Sequence, residues 1–198
     1  MPNSSPLKNL SHVYTPTTKV TEYDLLSSNY RSKRIIDDPE NHILYIIPAG
    51  FSQRINGEKH RSEYYRAIWE QCVYLQTENE LFPLGKEDHL ITLVKEPENR
   101  HDPYAIKIGI EFKQEVPEQV IPGKFKRKKW QDIGYIPKVI SKTIHQNIDN
   151  IKKGHLINIY AESPKNIYFG RVALFYGEEH KIVSVDHSNQ RFAAILEE

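Results

Sequence analysis

Cysteine is nearly absent: Cys72 is the one thiol among 198 residues, so neither an intrachain disulfide nor a multi-thiolate metal cage can hold the fold. Packing must hold it instead. No long apolar run occurs, and a mean hydropathy of -0.62 excludes a transmembrane helix. The nine glycines are dispersed singly, so the Gly-rich loops that cradle nucleotide phosphates are missing. Nine histidines form no HExxH pattern, and no metal or other cofactor is expected. Neither charge sign dominates, with 27 Lys and Arg against 26 Asp and Glu. The start, MPNSSPLKNLSHVYTPTTK, has no apolar core after a basic stretch, so it does not read as a signal peptide. With the single thiol, this points to the cytoplasm, or to the nucleoid in a bacterium, and to no membrane partner.

What is present begins with 38% hydrophobic and 11% aromatic residues, enough to bury a real core. The near-neutral total hides local polarity. Lys124, Lys126, Arg127, Lys128, Lys129, Lys138 and Lys142 face only Asp132, a local balance of plus six, whereas Gln76 to Glu98 carries minus four. Phosphate attraction acts within a Debye length, so a basic segment binds polyanions whatever the total charge. The same KFKRKK run is equally consistent with a solvated loop.

Residues 1–40 read as a flexible polar arm, 41–187 as one domain and 188–198 as a short tail. Ordered structure is expected from His42, after the loop signal Asp37-Asp38-Pro39-Glu40-Asn41. Strands are predicted at Ile43–Ile47, Leu90–Lys95, Tyr104–Phe112, Gln131–Ile136, Leu156–Ala161, Ile167–Tyr176 and Lys181–Val185. Tyr64, Tyr65, Ile68, Trp69, Cys72 and Val73 recur at helical spacing, which makes Cys72 an apolar filler rather than a nucleophile. A second helix enters at Pro137, carries Ile140, Ile144, Ile148 and Ile151 along one stripe, and is capped at Gly154. Strands outnumber helices without βαβ alternation. The expected class is therefore mainly β (α+β), a small OB- or SH3-like split barrel of about six strands with two packed helices. Long insertions are expected at about 53–89 and 111–130.

One constellation suggests an enzyme. Asp102 followed by Glu111 and Lys113 mimics the carboxylates and lysine of Mg²⁺-dependent nucleases, although Glu111 and Lys113 also fit the wet face of a strand.

A more specific pair of motifs is Leu93-Val94-Lys95-Glu96-Pro97-Glu98-Asn99-Arg100-His101-Asp102-Pro103-Tyr104-Ala105-Ile106, then Ile133-Gly134-Tyr135-Ile136-Pro137-Lys138. Together they resemble the HIRAN family, in which an Asn- and Asp-containing turn follows one strand and a Gly-aromatic-Ile-Pro-basic run ends another and enters a helix. The resemblance is strongest over residues 90–152 and absent from the first forty. It implies an OB-like barrel, no catalysis, and binding of single-stranded DNA at a free 3′ end. It further implies that Asp102 accepts the terminal hydroxyl, that His101 and Tyr135 stack the end base, and that Lys138 and Lys142 meet phosphate. Phe51, with Tyr74, Tyr168 and Phe169 as competitors, is aligned with the aromatic that completes the sandwich. Arg54 is a further phosphate candidate, and Lys126, Arg127, Lys128 and Lys129 extend the track. Asn99 and Asp102 have a plainer alternative, closing the turn through their own side chains. A separate helicase, nuclease or repair protein is the implied partner. A protein-interaction adaptor on the same barrel is the remaining alternative.

Overall fold

The structure, a computed structural model, describes residues 6–7, 20, 34–51, 53, 61–66, 90–121, 124–151, 153–162 and 167–176; at 90, 111–121, 124–129, 153, 158 and 161–162 it describes the backbone alone. Seven strands lie in it: β1 (Ile35–Asp38), β2 (Ile43–Ile46), β3 (Leu90–Lys95), β4 (Ile106–Ile121), β5 (Lys124–Tyr135), β6 (Lys153–Glu162) and β7 (Ile167–Phe175). Helical backbone occurs at 61–66 (α1) and Lys138–Gln146 (α2), the latter followed by a 3-10 turn at Ile148–Asn150. Over the described residues the protein is mainly β with two helices.

The strand order is β1-β2-β7-β6-β3-β4-β5. All named pairings are antiparallel. A single register pair, Leu90 with His155, joins β3 to β6, so the array behaves as two blocks, β1-β2-β7-β6 and β3-β4-β5. No closed barrel forms among the described residues. The two blocks do meet a second time: Ala49, just past β2, bridges Tyr135 at the end of the edge strand β5 through paired backbone hydrogen bonds of 2.7 and 2.9 Å.

Alternation along β4 turns Ile106, Ile108 and Ile110 into the main core, where each is fully buried. Ile140 and Ile144 of α2 press onto the same cluster, together with Ile133, Leu156, Val172 and Leu174. Each buried Ile contributes about 1.5–3 kcal/mol relative to exposure. A second cluster, Ile36, Ile43, Tyr45, Ile157, Ala173 and Phe175, covers the opposite face of the β1-β2-β7-β6 block, with Val20 against it.

Four expectations need correction. Ordered structure begins before His42: β1 occupies part of the segment read as a polar arm, and Leu7 and Val20 are buried in the two clusters. Short polar stretches mask isolated apolar anchors when composition is averaged. The Asp37–Asn41 loop signal is the β1–β2 hairpin turn, in which both carboxylate oxygens of Asp38 accept hydrogen bonds from Asn41. Residues 111–121 and 124–130 are not a loop insertion but the continuation of β4 and β5 into a long hairpin, with Glu118 in register with Lys126. The second helix stops at Gln146, capped by Asn147 rather than Gly154, because Asn147 leaves helical geometry and a 3-10 turn takes over. Of the remaining predictions, the Ile68–Val73 part of the aromatic helix and the strand at Lys181–Val185 lie outside the described residues.

Candidate nucleic-acid interface

The turn between β3 and β4 is organised by Asn99. Its Oδ1 accepts the backbone N–H groups of His101 (3.0 Å) and Asp102 (3.2 Å), and its Nδ2 donates to Glu96 Oε2 (3.1 Å). Asp102 repeats the device one step on, its Oδ1 accepting the Tyr104 N–H at 2.9 Å. Asx side chains favour such turns because they satisfy backbone donors that a tight reversal leaves open. The turn-closing role is therefore real for both residues.

The second half of the site is the start of α2. Pro137 holds the N-cap position with φ -52, and the first turn carries no acidic residue and no side-chain cap. Lys138, in that turn, donates from Nζ to the carbonyl of His101 at 3.0 Å. One turn later the Ser141 hydroxyl donates to Asp102 Oδ2 at 2.6 Å. Lys142 Nζ lies over the Tyr104 ring, 5.4 Å from its centroid, and His145 meets the same ring edge-on at 5.6 Å. Turn and helix, about forty residues apart in sequence, thus share one surface with His101, Lys138 and Lys142 exposed and Asn99, Asp102 and Tyr104 half-buried.

Tyr135 lies beside them at the end of β5. The preceding Gly134 has φ +137, and a Cβ there would lie 2.5 Å from the Ala49 carbonyl oxygen, so the bridge to Ala49 requires glycine. The Arg61 guanidinium lies over the Tyr135 ring at 4.9 Å and Lys107 Nζ at 5.8 Å. Arg61 is held by both oxygens of Asp132, each at 2.9 Å, and by the Gly50 carbonyl at 3.1 Å. Burial opposes its charge, but the Asp132 hydrogen bonds and charge outweigh this and hold the guanidinium above its ordinary pKa. Glu96 pairs with Lys107. Burial alone would raise the Glu96 carboxyl; hydrogen bonds from Lys107, Asn99 and Tyr135 outweigh it and hold the group below its ordinary value. Burial, then the hydrogen bond to Glu96, pushes the Tyr135 hydroxyl up.

Six of the sequence candidates, Asn99, His101, Asp102, Tyr135, Lys138 and Lys142, therefore belong to one neighbourhood. Phe51 does not join them. It is 9% exposed and stacked at 4.9 Å on Phe169, which itself stacks on Tyr160 at 5.2 Å, so Phe51 and Phe169 are core rings with no face left for a base. Tyr168 stays half-buried, with Arg66 6.0 Å above its ring. Arg54 and Tyr74 lie outside the described residues, as do the side chains of Glu111, Lys113, Lys126, Arg127, Lys128 and Lys129. Among the described residues no group of three or more His, Cys, Asp or Glu could hold a metal.

Ser141, Tyr104 and Arg61 carry contacts that sequence inspection missed. Ser141 was discoverable from its place one turn after Lys138, on the side of α2 that meets the turn. Arg61 had no local signal, because its partner Asp132 is 71 positions away. Comparisons with known protein families, with curated proteins and with solved structures return no match.

Proposed function

We propose that this chain is a non-enzymatic single-stranded DNA-binding module of HIRAN type that takes a free 3′ end at the surface shared by the β3–β4 turn and α2. The observation that carries this is the convergence of the two resembling motifs: Lys138 on the His101 carbonyl and Ser141 on Asp102 join them directly. The surface supplies two exposed ammonium groups for phosphate. It also supplies a carboxylate whose oxygens each keep a lone pair for a terminal hydroxyl, and rings at His101, Tyr104 and Tyr135 for a base. The α2 N-terminus, free of acidic residues in its first turn, favours an anion nearby. The Ala49–Tyr135 bridge supports reading the sheet as an opened OB-like barrel, the host of many single-strand binders. A helicase, nuclease or repair protein acting on the same end is the partner class that fits. The absence of an apolar spanning helix among the described residues is compatible with a cytoplasmic location.

The test is fluorescence anisotropy of a short labelled oligonucleotide in EDTA, comparing 3′-OH with 3′-phosphate ends. The expected result is a 3′-OH preference that Asp102→Asn removes, and a salt slope that Lys138→Ala lowers by about 0.7. Equal binding of both ends would refute end recognition. Cleavage of the oligonucleotide in a parallel incubation with Mg²⁺ in place of EDTA would refute the non-enzymatic assignment, and binding of protein but not DNA would favour an adaptor.

A further inference from the structure

We propose that Trp130 is a second contact for single-stranded nucleic acid, a base-stacking platform on the outer face of the β3-β4-β5 block. The inference rests on the function proposed above for its class of ligand, but on different residues.

The placement follows from strand alternation. Ile106, Ile108 and Ile110 of β4 point into the core, so Lys107 and Gly109 belong to the opposite face. Trp130 of β5 stands in register with Glu111, on that same outer set. It is 36% exposed, and Val94, in register with Lys107, is 45% exposed on the same face. A single exposed indole is ordinary by itself; what sets this one apart is how it is held.

Its seat is built for it. A Cβ on residue 109 would lie 2.0 Å from Trp130 Cε2 and 2.2 Å from Cζ2, so the ring lies over the bare backbone of Gly109. The indole Nε1–H then reaches across β4 to donate to Thr92 Oγ1 on β3 at 2.6 Å. One side of the ring thus rests on glycine while a hydrogen bond fixes its rotation. A ring already immobilised loses little entropy when a base stacks on it.

The neighbouring charge chooses the occupant. Lys124, Lys126, Arg127, Lys128 and Lys129 precede Trp130 on β5 with no acidic residue among 124–129. They span about 17 Å of strand at about 3.4 Å per residue. Beyond Trp130 the strand continues for about 17 Å to Tyr135, and α2 begins with Lys138. A polyanion drawn to the basic end of β5 therefore finds the indole next to it, on the strand that leads on to Tyr135 and the candidate end site. The paired strand β4 carries Glu111, Glu115 and Glu118 against Lys107 and Lys113, so the β4-β5 hairpin as a whole keeps a net positive charge.

Trp69 and Trp130 are the two tryptophans, so Trp69→Phe leaves Trp130 as the sole indole reporter. This protein is titrated with oligothymidylate of about 12 nucleotides and with a 3′-OH trinucleotide. The longer strand should quench Trp130 emission and the trinucleotide should not. Trp130→Ala should weaken the longer strand by about tenfold or more and leave the trinucleotide unchanged. Trp130→Phe should keep part of that affinity, and Gly109→Ala, which unseats the ring without deleting it, should abolish the quenching. Unquenched emission at saturation, or equal affinity of wild type and Trp130→Ala for the longer strand, would overturn the platform. So would concentration-dependent self-association that Trp130→Ala removes, since a second copy would then own the face. The two proposals fail separately: Trp130-dependent binding that ignores a 3′-phosphate keeps the platform and refutes the end site. A 3′-OH preference together with a long-strand affinity that Trp130→Ala leaves unchanged does the reverse.

Discussion

Replacing Asp132 with alanine should be among the most damaging single changes outside the apolar core. Its carboxylate and the Arg61 guanidinium meet through two parallel hydrogen bonds of 2.9 Å, with side-chain exposures of only 6% and 8%. Asp132 Oδ1 also accepts the Gly134 N–H at 2.9 Å, which sets the backbone that presents Tyr135. Asp132→Ala strands a buried guanidinium whose remaining acceptors among the described residues, the Gly50 carbonyl, Gln53 and the Tyr135 hydroxyl, carry no carboxylate charge. Breaking a buried pair from one side costs about 3–5 kcal/mol, because the remaining charge is left desolvated and uncompensated. The lost Gly134 bond adds about 1 kcal/mol. For a chain of this size the sum corresponds to a Tm lowered by about 10 °C or more. The assay is urea and thermal unfolding of wild type, Asp132→Ala and the double variant Arg61→Met with Asp132→Leu. The double variant should recover much of the loss, since well-packed apolar replacements of buried pairs are often neutral. An Asp132→Ala penalty below about 1 kcal/mol would show the pair to be solvated and refute the reasoning. A double variant no more stable than the single one would refute the stranded-charge explanation.

Gly134→Ala should be destabilising by about 2 kcal/mol or more, from strained φ and the approach to Ala49; amide exchange should show the Tyr135 and Ala49 N–H groups losing protection together. The depressed Glu96 carboxyl contributes stability that is fully present above its unfolded value of about 4.3 and is lost as pH falls through its lower folded value. Acid unfolding of Glu96→Gln should accordingly show a shallower loss across that window, and an unchanged acid limb would exclude the contribution. Ser141→Ala removes the donor to Asp102 Oδ2 and should cost about 1–2 kcal/mol in melting experiments, while weakening any 3′-OH preference in anisotropy. Ile144→Ala, at a fully buried position of α2, should cost about 2–5 kcal/mol in urea unfolding.

Several features were legible in the chain because they are local. The period-two pattern in 106–110 marked a strand with one buried face, Pro137 with the Ile140 and Ile144 stripe marked a helix start, and Asn99 and Asp102 marked the turn they close. Each depends on neighbours a few residues away, so propensity and periodicity suffice. The two motifs around Asp102 and Lys138 were visible for the same reason, although nothing local says that they touch.

What only the tertiary structure decided is pairing at long range. Whether 111–130 forms a loop or a hairpin depends on one segment finding the other, an interaction of register that charge composition does not encode. Phe51 looked as available to a base as Tyr135 until packing set it against Phe169 and left Tyr135 at the surface under Arg61. The Trp130 platform exists because a glycine on the adjoining strand lies beneath it and a threonine one strand further accepts its N–H. By itself, then, the sequence determined the locally patterned elements such as the 106–110 strand and the start of α2, the turn chemistry and the residue types capable of meeting a nucleic acid. Which of those side chains share a surface was decided by the folded sheet, because contacts between residues about 40 to 70 positions apart are set by burial and hydrogen-bond geometry that no short window contains.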